Sequence, residues 1–368
     1  MSRAHALPPA QPRRLPLAAI GVTAVAALVI GVVAGLARLA VDVPGGSRAI
    51  GLYHGALMVS GFAGTVIGLE RAAAAGHPVA LMGPAASAVG ALALVLGAEE
   101  VAASAFLVAA VVLAVTLLRF WRLQPAPPLL VIALGAACWA GASLRWLAGG
   151  AAVEVVPWWI AFLALTIAGE RLELTRFRRQ PLLPFAVASV ALVAGLAVTL
   201  FDRAAGARLI GAALLLTGAW LAWTDTARVT VRRGGLATYT GATLLACYVS
   251  LILAGVWLLA APAPGTAAYD SALHLFFIGF VMGAIFAHGP IILPALTGLS
   301  IRLTALTPVA VTLLYASLAL RVAGNAAGEH TWRQAAGSVH AIAFALFALG
   351  LVAGVLRARI TTERPARP

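Results

Sequence analysis

The chain has 368 residues, 62% of them hydrophobic and 10% charged, against about half and about a quarter in an average soluble domain. With a mean hydropathy of +1.00 and only two cysteines, it is not an ordinary soluble enzyme, a disulfide scaffold or a disordered polymer. All 25 basic residues are arginine; against 12 acids they leave a net charge of +13, which would suggest a nucleic-acid partner in a soluble protein but follows from the positive-inside bias of loops in a membrane protein.

Crossing about 30 Å of hydrocarbon takes about 20 apolar residues. Twelve runs approach or exceed that length: 16–37, 50–70, 78–98, 101–119, 128–148, 154–172, 182–201, 206–224, 236–261, 270–293, 303–323 and 334–356. The first follows Arg13 and Arg14. At about 22 residues it exceeds the apolar core of a signal peptide, about 7–15, and no cleavage site follows it. It reads as an uncleaved helix behind a Pro-rich tail. Between the runs lie short polar breaks such as Val43–Ser47, Ala75–Pro78 and Arg232–Gly235. No alternating strand pattern occurs, so the expectation is an all-α polytopic membrane protein. It has cytoplasmic tails over 1–15 and 359–368, and one twelve-helix domain over 16–358.

Threading the runs alternately from an inner N-terminus puts Arg38, Arg48, Arg145, Arg203, Arg208, Arg321 and Arg333 outside and the other eighteen of the 25 arginines inside. That asymmetry places both termini in the cytoplasm, as in a bacterial-type inner membrane. No nucleic acid is needed to explain the charge.

The same threading sorts the seven histidines. His5 and His77 fall in solvated inner segments and His330 in the last outer loop. His54, one turn into the second run, His274, one turn into the tenth, and His340, two turns into the twelfth, share a depth in the outer leaflet. Imidazole inside a bilayer must be paired, solvated or ligated, and neutral imidazole is the usual ligand of haem iron and copper. A metal or haem role, a proton or substrate relay, and a structural role all remain open on this pattern. Gly61, Gly64 and Gly68 after His54, and Gly279 and Gly283 after His274, would clear a groove for something flat, although such spacing also packs helices. The few cysteines and the lack of an acidic cluster disfavour a structural zinc site. Cys138 and Cys247 stand alone in separate runs and read as small buried hydrophobes.

His288 lies fourteen residues beyond His274, about 21 Å along a helix and on nearly the same face. That geometry suits ligands of two haems. Only loop His77 could partner it, however, and Pro290 and Pro294 should break the helix there, so one haem with a structural or gating His288 is preferred. At the inner surface, Glu70-Arg71 closes the second run and Glu170-Arg171 the sixth. They are expected to pair across helices; a proton or anion access point is the sharper alternative, and anionic lipid headgroups facing Arg176, Arg178 and Arg179 another.

A twelve-helix chain with histidines near the outer ends of its second and tenth helices resembles subunit I of the haem–copper oxidases, where those helices clamp a low-spin haem b. More narrowly, His54-Gly-Ala-Leu-Met with its Gly-rich continuation, Leu273-His274 with the run to His288-Gly289, and Arg321-Val-Ala-Gly resemble the NnrS-type haem- and copper-containing membrane proteins associated with nitric oxide stress and denitrification. The resemblance implies haem b on His54 and His274, with His340 as alternate or copper ligand. It further implies a role in electron transfer, or a gaseous ligand such as nitric oxide. Helices six to nine carry no histidine, and Ala272 and Phe276 flank His274 where an oxidase has a second one, so a binuclear oxygen-reducing centre is not expected. The alternatives are a twelve-helix secondary transporter using the embedded histidines and inner Glu/Arg pairs for coupling, and a cofactor-free assembly protein.

Overall fold

A computed structural model of the protein describes residues 14–175 and 180–362. Most of both expected tails, and Arg176, Arg178 and Arg179, therefore lie outside the described residues. Among those described, helices fill nearly the whole chain and no strand occurs. Twelve helices are long and apolar enough to cross a membrane: Leu17–Arg38, His54–Ala75, Pro78–Val95, Glu99–Leu123, Pro127–Leu147, Ala152–Leu174, Leu182–Thr199, Arg203–Thr224, Gly235–Ala260, Ala267–Ala295, Leu306–Ala327 and His330–Ile360. They are called helices 1 to 12 below. Each coincides with one expected run, and together they mark a multi-pass membrane protein.

Helices close in sequence pack side by side, and helix 1 also meets helix 12. There the Gln334 amide donates to the carbonyls of Leu39 and Ala40 at 2.9 and 3.3 Å. Helices 2 and 10 are the interior of this arrangement: 67% of the most apolar stretch of each is buried, against 22% for helix 1. Side chains as small as glycine allow such close packing. A Cβ on Gly211 would stand 2.8 Å from the Gly255 carbonyl oxygen, so helices 8 and 9 touch main chain to main chain.

The groove expected along Gly61, Gly64 and Gly68 is not open. A Cβ on Gly64 would meet the Trp139 ring at 2.6 Å, one on Gly61 the Ala91 and Ala27 methyls at 3.1 and 3.2 Å, and one on Gly68 Pro84 at 3.3 Å. Gly279 is filled likewise by Ser250 and Leu318, and Gly283 by Tyr315 and Cys247. Neighbouring helices occupy the space, and tight packing is what these glycines provide.

A second correction concerns Pro290 and Pro294, which do not end helix 10; it runs on to Thr297 and stops at Gly298, a left-handed residue at φ 72°. Proline at 290 cannot donate to the carbonyl of Phe286, but the Tyr239 hydroxyl donates to that oxygen at 2.8 Å, and Thr240 donates to the Ala287 carbonyl at 3.2 Å. Helix 9 thus satisfies the acceptor that Pro290 leaves free, the usual condition for such residues in membrane helices, and adds a second bond one residue on. Tyr239→Phe should orphan the Phe286 carbonyl and cost about 1–3 kcal/mol, read as a lowered unfolding midpoint in detergent.

Candidate functional site

Helices 2 and 10 share a local irregularity that hydrophobic patterning does not announce. His54 opens helix 2 and is followed by a π-helical segment, Leu57–Gly64. His274 ends the first α-helical part of helix 10 and is followed at once by another, Leu275–Met282. A π-helix shifts the hydrogen-bond ladder by one residue and is concentrated at functional sites. In both segments a neighbouring helix supplies a hydroxyl to a carbonyl: Ser87 donates to Ser60 at 2.7 Å, and Tyr315 to Gly279 at 2.8 Å. Ser60 is further fixed by the Trp139 indole, which donates to its hydroxyl at 3.0 Å.

The three expected histidines do come together from helices 2, 10 and 12. His274 lies within electrostatic reach of both His54 and His340, and Arg321 within reach of all three. His54 is the first residue of its helix, His274 the eighth of Ala267–Ala295, and His340 the eleventh of His330–Ile360.

Each ring is held in its own way. His54 Nδ1 lies 2.7 Å from the Gly31 carbonyl oxygen on helix 1. A Cβ on Gly35, one turn further along, would stand 2.8 Å from the imidazole. Helix 1 therefore both grips the ring and makes room for it. Gly35→Ala should push the ring aside, as an added methyl in a filled site costs about 1–3 kcal/mol; a lowered unfolding midpoint in detergent checks this. His274 Nδ1 lies 2.8 Å from the carbonyl oxygen of Asp270, one turn earlier, and 3.3 Å from its carboxylate Oδ1. In both rings the carbonyl contact makes Nδ1 the donor, which leaves Nε2 as the free acceptor. His340 is buried, and its Nε2 has no hydrogen-bond partner. Among the described residues, no three His, Cys, Asp or Glu side chains stand close enough to hold one metal ion.

Asp270 is the residue that a reading of the histidines alone overlooks. The Arg321 guanidinium donates to both its carboxylate oxygens, Nε to Oδ2 at 3.0 Å and Nη2 to Oδ1 at 2.9 Å. The Asn325 amide donates to Oδ2 at 2.8 Å and to the Ser271 hydroxyl at 2.9 Å. An acid four residues before a histidine in an apolar run is the signal that would have found it, because intramembrane charge is costly and seldom idle.

At the opposite end of helix 10, His288 is engaged. Its Nδ1 lies 2.8 Å from the Ala284 carbonyl and its Nε2 accepts from Arg171 Nη1 at 3.1 Å. Arg171 also makes a two-pronged pair with Asp225, Nε to Oδ2 at 2.7 Å and Nη2 to Oδ1 at 2.8 Å. With both ring nitrogens taken, His288 is a structural link. Arg71 pairs across helices with Glu170 at 2.8 Å and reaches Glu173 at 3.9 Å, as expected. Arg171, however, turns to Asp225 rather than to Glu70, because it is buried where Asp225, also buried, can supply both oxygens.

A family model described as a domain of unknown function (DUF8744) matches residues 14–356. The chain belongs to that family. A search of curated proteins finds no match to the chain.

Proposed function

We propose, for this member of the family, that the chain is a membrane-integral haem b protein of redox or gas-responsive character, resembling the NnrS type. His54 and His274 would hold the haem, in the outer leaflet of a bacterial-type inner membrane with both termini cytoplasmic. One observation carries this reading. Two histidines on the two most interior helices each spend Nδ1 on a main-chain carbonyl and leave Nε2 uncommitted, the arrangement by which proteins fix the tautomer and raise the basicity of a metal-bound imidazole. A single ion shared by all three histidines does not fit the side-chain spacing, whereas a haem would need only the two free Nε2 atoms of His54 and His274. Haem, when bound there, supplies one-electron chemistry.

Around it, Gly31 and Asp270 orient the ligands through their carbonyls, and the apolar interior excludes bulk water. His340, with its buried and unpartnered Nε2, is the alternate ligand or a copper ligand. Electron transfer and nitric oxide handling in denitrification are the roles that the resemblance favours.

A secondary transporter is the second reading. It is favoured by two Arg–Asp pairs at opposite ends of helix 10, the part-buried Arg321–Asp270 and the buried Arg171–Asp225, a layout in which breaking one pair at a time would open one side at a time.

The reduced-minus-oxidised visible spectrum of protein purified after haem-supplemented expression separates the two. A haem b spectrum is expected, lost in His54→Ala and in His274→Ala and kept in His288→Ala. A colourless wild-type protein overturns the haem reading. Retention of the full spectrum in both ligand variants overturns the choice of ligands. Elemental analysis of His340→Ala for copper tests the remaining histidine.

A further inference from the structure

The proposed ligands differ in one respect: only His274 has a carboxylate beside its Nδ1. Asp270 Oδ1 lies 3.3 Å from that nitrogen and is at the same time 2.9 Å from Arg321 Nη2. Its partner oxygen Oδ2 receives Arg321 Nε and the Asn325 amide at 3.0 and 2.8 Å. Three donors from helix 11 thus fix the carboxylate plane, and Asn325 is itself steadied by Ser271, the neighbour of Asp270. The result is a line of charge: imidazole N–H, then carboxylate, then guanidinium. Arg321 and Asp270 are both mostly withdrawn from solvent, with side chains 7% and 25% exposed, so water screens them little.

Resting on the haem reading above, we propose that Asp270 and Arg321 are positioning residues that set the reduction potential of the His274-ligated centre. Asp270 favours the oxidised form and Arg321 offsets it. The physical reason is the order of the line. The Nδ1 proton goes to the Asp270 main-chain carbonyl, and the carboxylate oxygen 3.3 Å from the same nitrogen adds negative charge beside the ring, which stabilises the more positive, oxidised metal. The guanidinium paired with it carries the opposite charge and opposes that stabilisation. Neutralising either member leaves the other uncompensated in a low-dielectric interior, so the two substitutions must act in opposite directions.

The test is an equilibrium redox titration of the purified, haem-loaded protein. Asp270→Asn keeps the shape and removes the negative charge; its reduced-to-oxidised ratio at a fixed potential should rise by about tenfold, a shift of about 59 mV for one electron. Arg321→Gln should lower that ratio, and Arg321→Lys, which keeps the charge, should titrate close to the wild type. Should Asp270→Asn not fold, the comparison of Arg321→Gln with Arg321→Lys decides, since equal potentials overturn the proposal. A merely structural role would lower the unfolding midpoints without opposite shifts in potential. Haem-loaded variants that titrate with the wild type, or shift in the same direction, overturn this inference and leave the haem reading standing. A wild-type protein without haem overturns the haem reading itself.

Discussion

Asp225→Ala is expected to cost about 3–5 kcal/mol of stability, among the largest effects of any single substitution in the chain. Asp225 is 1% exposed and Arg171 7% exposed at their side chains. The carboxylate accepts two guanidinium bonds at 2.7 and 2.8 Å, and a third from the main-chain N–H of Ala227 at 2.7 Å. Removing it strands a buried positive charge that keeps the His288 ring, not a carboxylate, against its Nη1. The pair also joins helix 6 to the end of helix 8, and through His288 to helix 10. Loss of the pair should therefore loosen the end of the bundle opposite the three histidines. Reversible unfolding in mixed micelles measures the cost. The double replacement Arg171→Leu with Asp225→Leu is the control: removing both charges should cost less than removing Asp225 alone, because no unpaired charge remains. A loss below about 1 kcal/mol for Asp225→Ala would mean that solvent reaches Arg171 and that the pair does not tie the helices, as surface ion pairs contribute about that little.

The same residues mark what patterning along the chain can and cannot reveal. Apolar run length located all twelve helices, because a helix that must satisfy its own main chain in a hydrocarbon layer leaves a long, nearly uncharged signature. The convergence of His54, His274 and His340 was also legible, through charge counts in the loops that put three helices' histidines at one end. The partners were not. Asp270 with Arg321, and Arg171 with Asp225, are joined by helix packing between residues 51 and 54 apart in sequence, and no periodicity encodes that. The glycines misled for a related reason: an unfilled small-residue stripe and one filled by a neighbouring ring have the same sequence. The prolines of helix 10 misled because the chain satisfies the Phe286 carbonyl from Tyr239, a residue 47 positions earlier. The π-helical segments had no sequence signal; they coincide with carbonyls that accept from Ser87 and Tyr315 on other helices.

Trp139→Ala should cost about 3–5 kcal/mol, the range for an aromatic core residue reduced to a methyl, and its consequences should reach His54. Trp139 is 1% exposed, stacks on Phe162 with ring centroids 4.9 Å apart, and fills the space over Gly64. Its indole also fixes Ser60, inside the π-helical segment that follows His54. In a bilayer the energetic loss is one of packing and hydrogen bonding, since apolar burial between membrane helices gains little from water. Trp139→Phe, which keeps an aromatic ring but not the indole N–H, should recover most of the packing and lose about 1 kcal/mol for the bond to Ser60. The sharper check is a double-mutant cycle. Gly64→Ala alone drives a methyl to 2.6 Å from the ring and should destabilise the protein. In the Trp139→Ala background that methyl enters the vacated space and should restore stability, giving a coupling energy of about 0.5–3 kcal/mol. Additive losses would mean that the ring moves aside freely, and that helix 2 is not seated by Trp139.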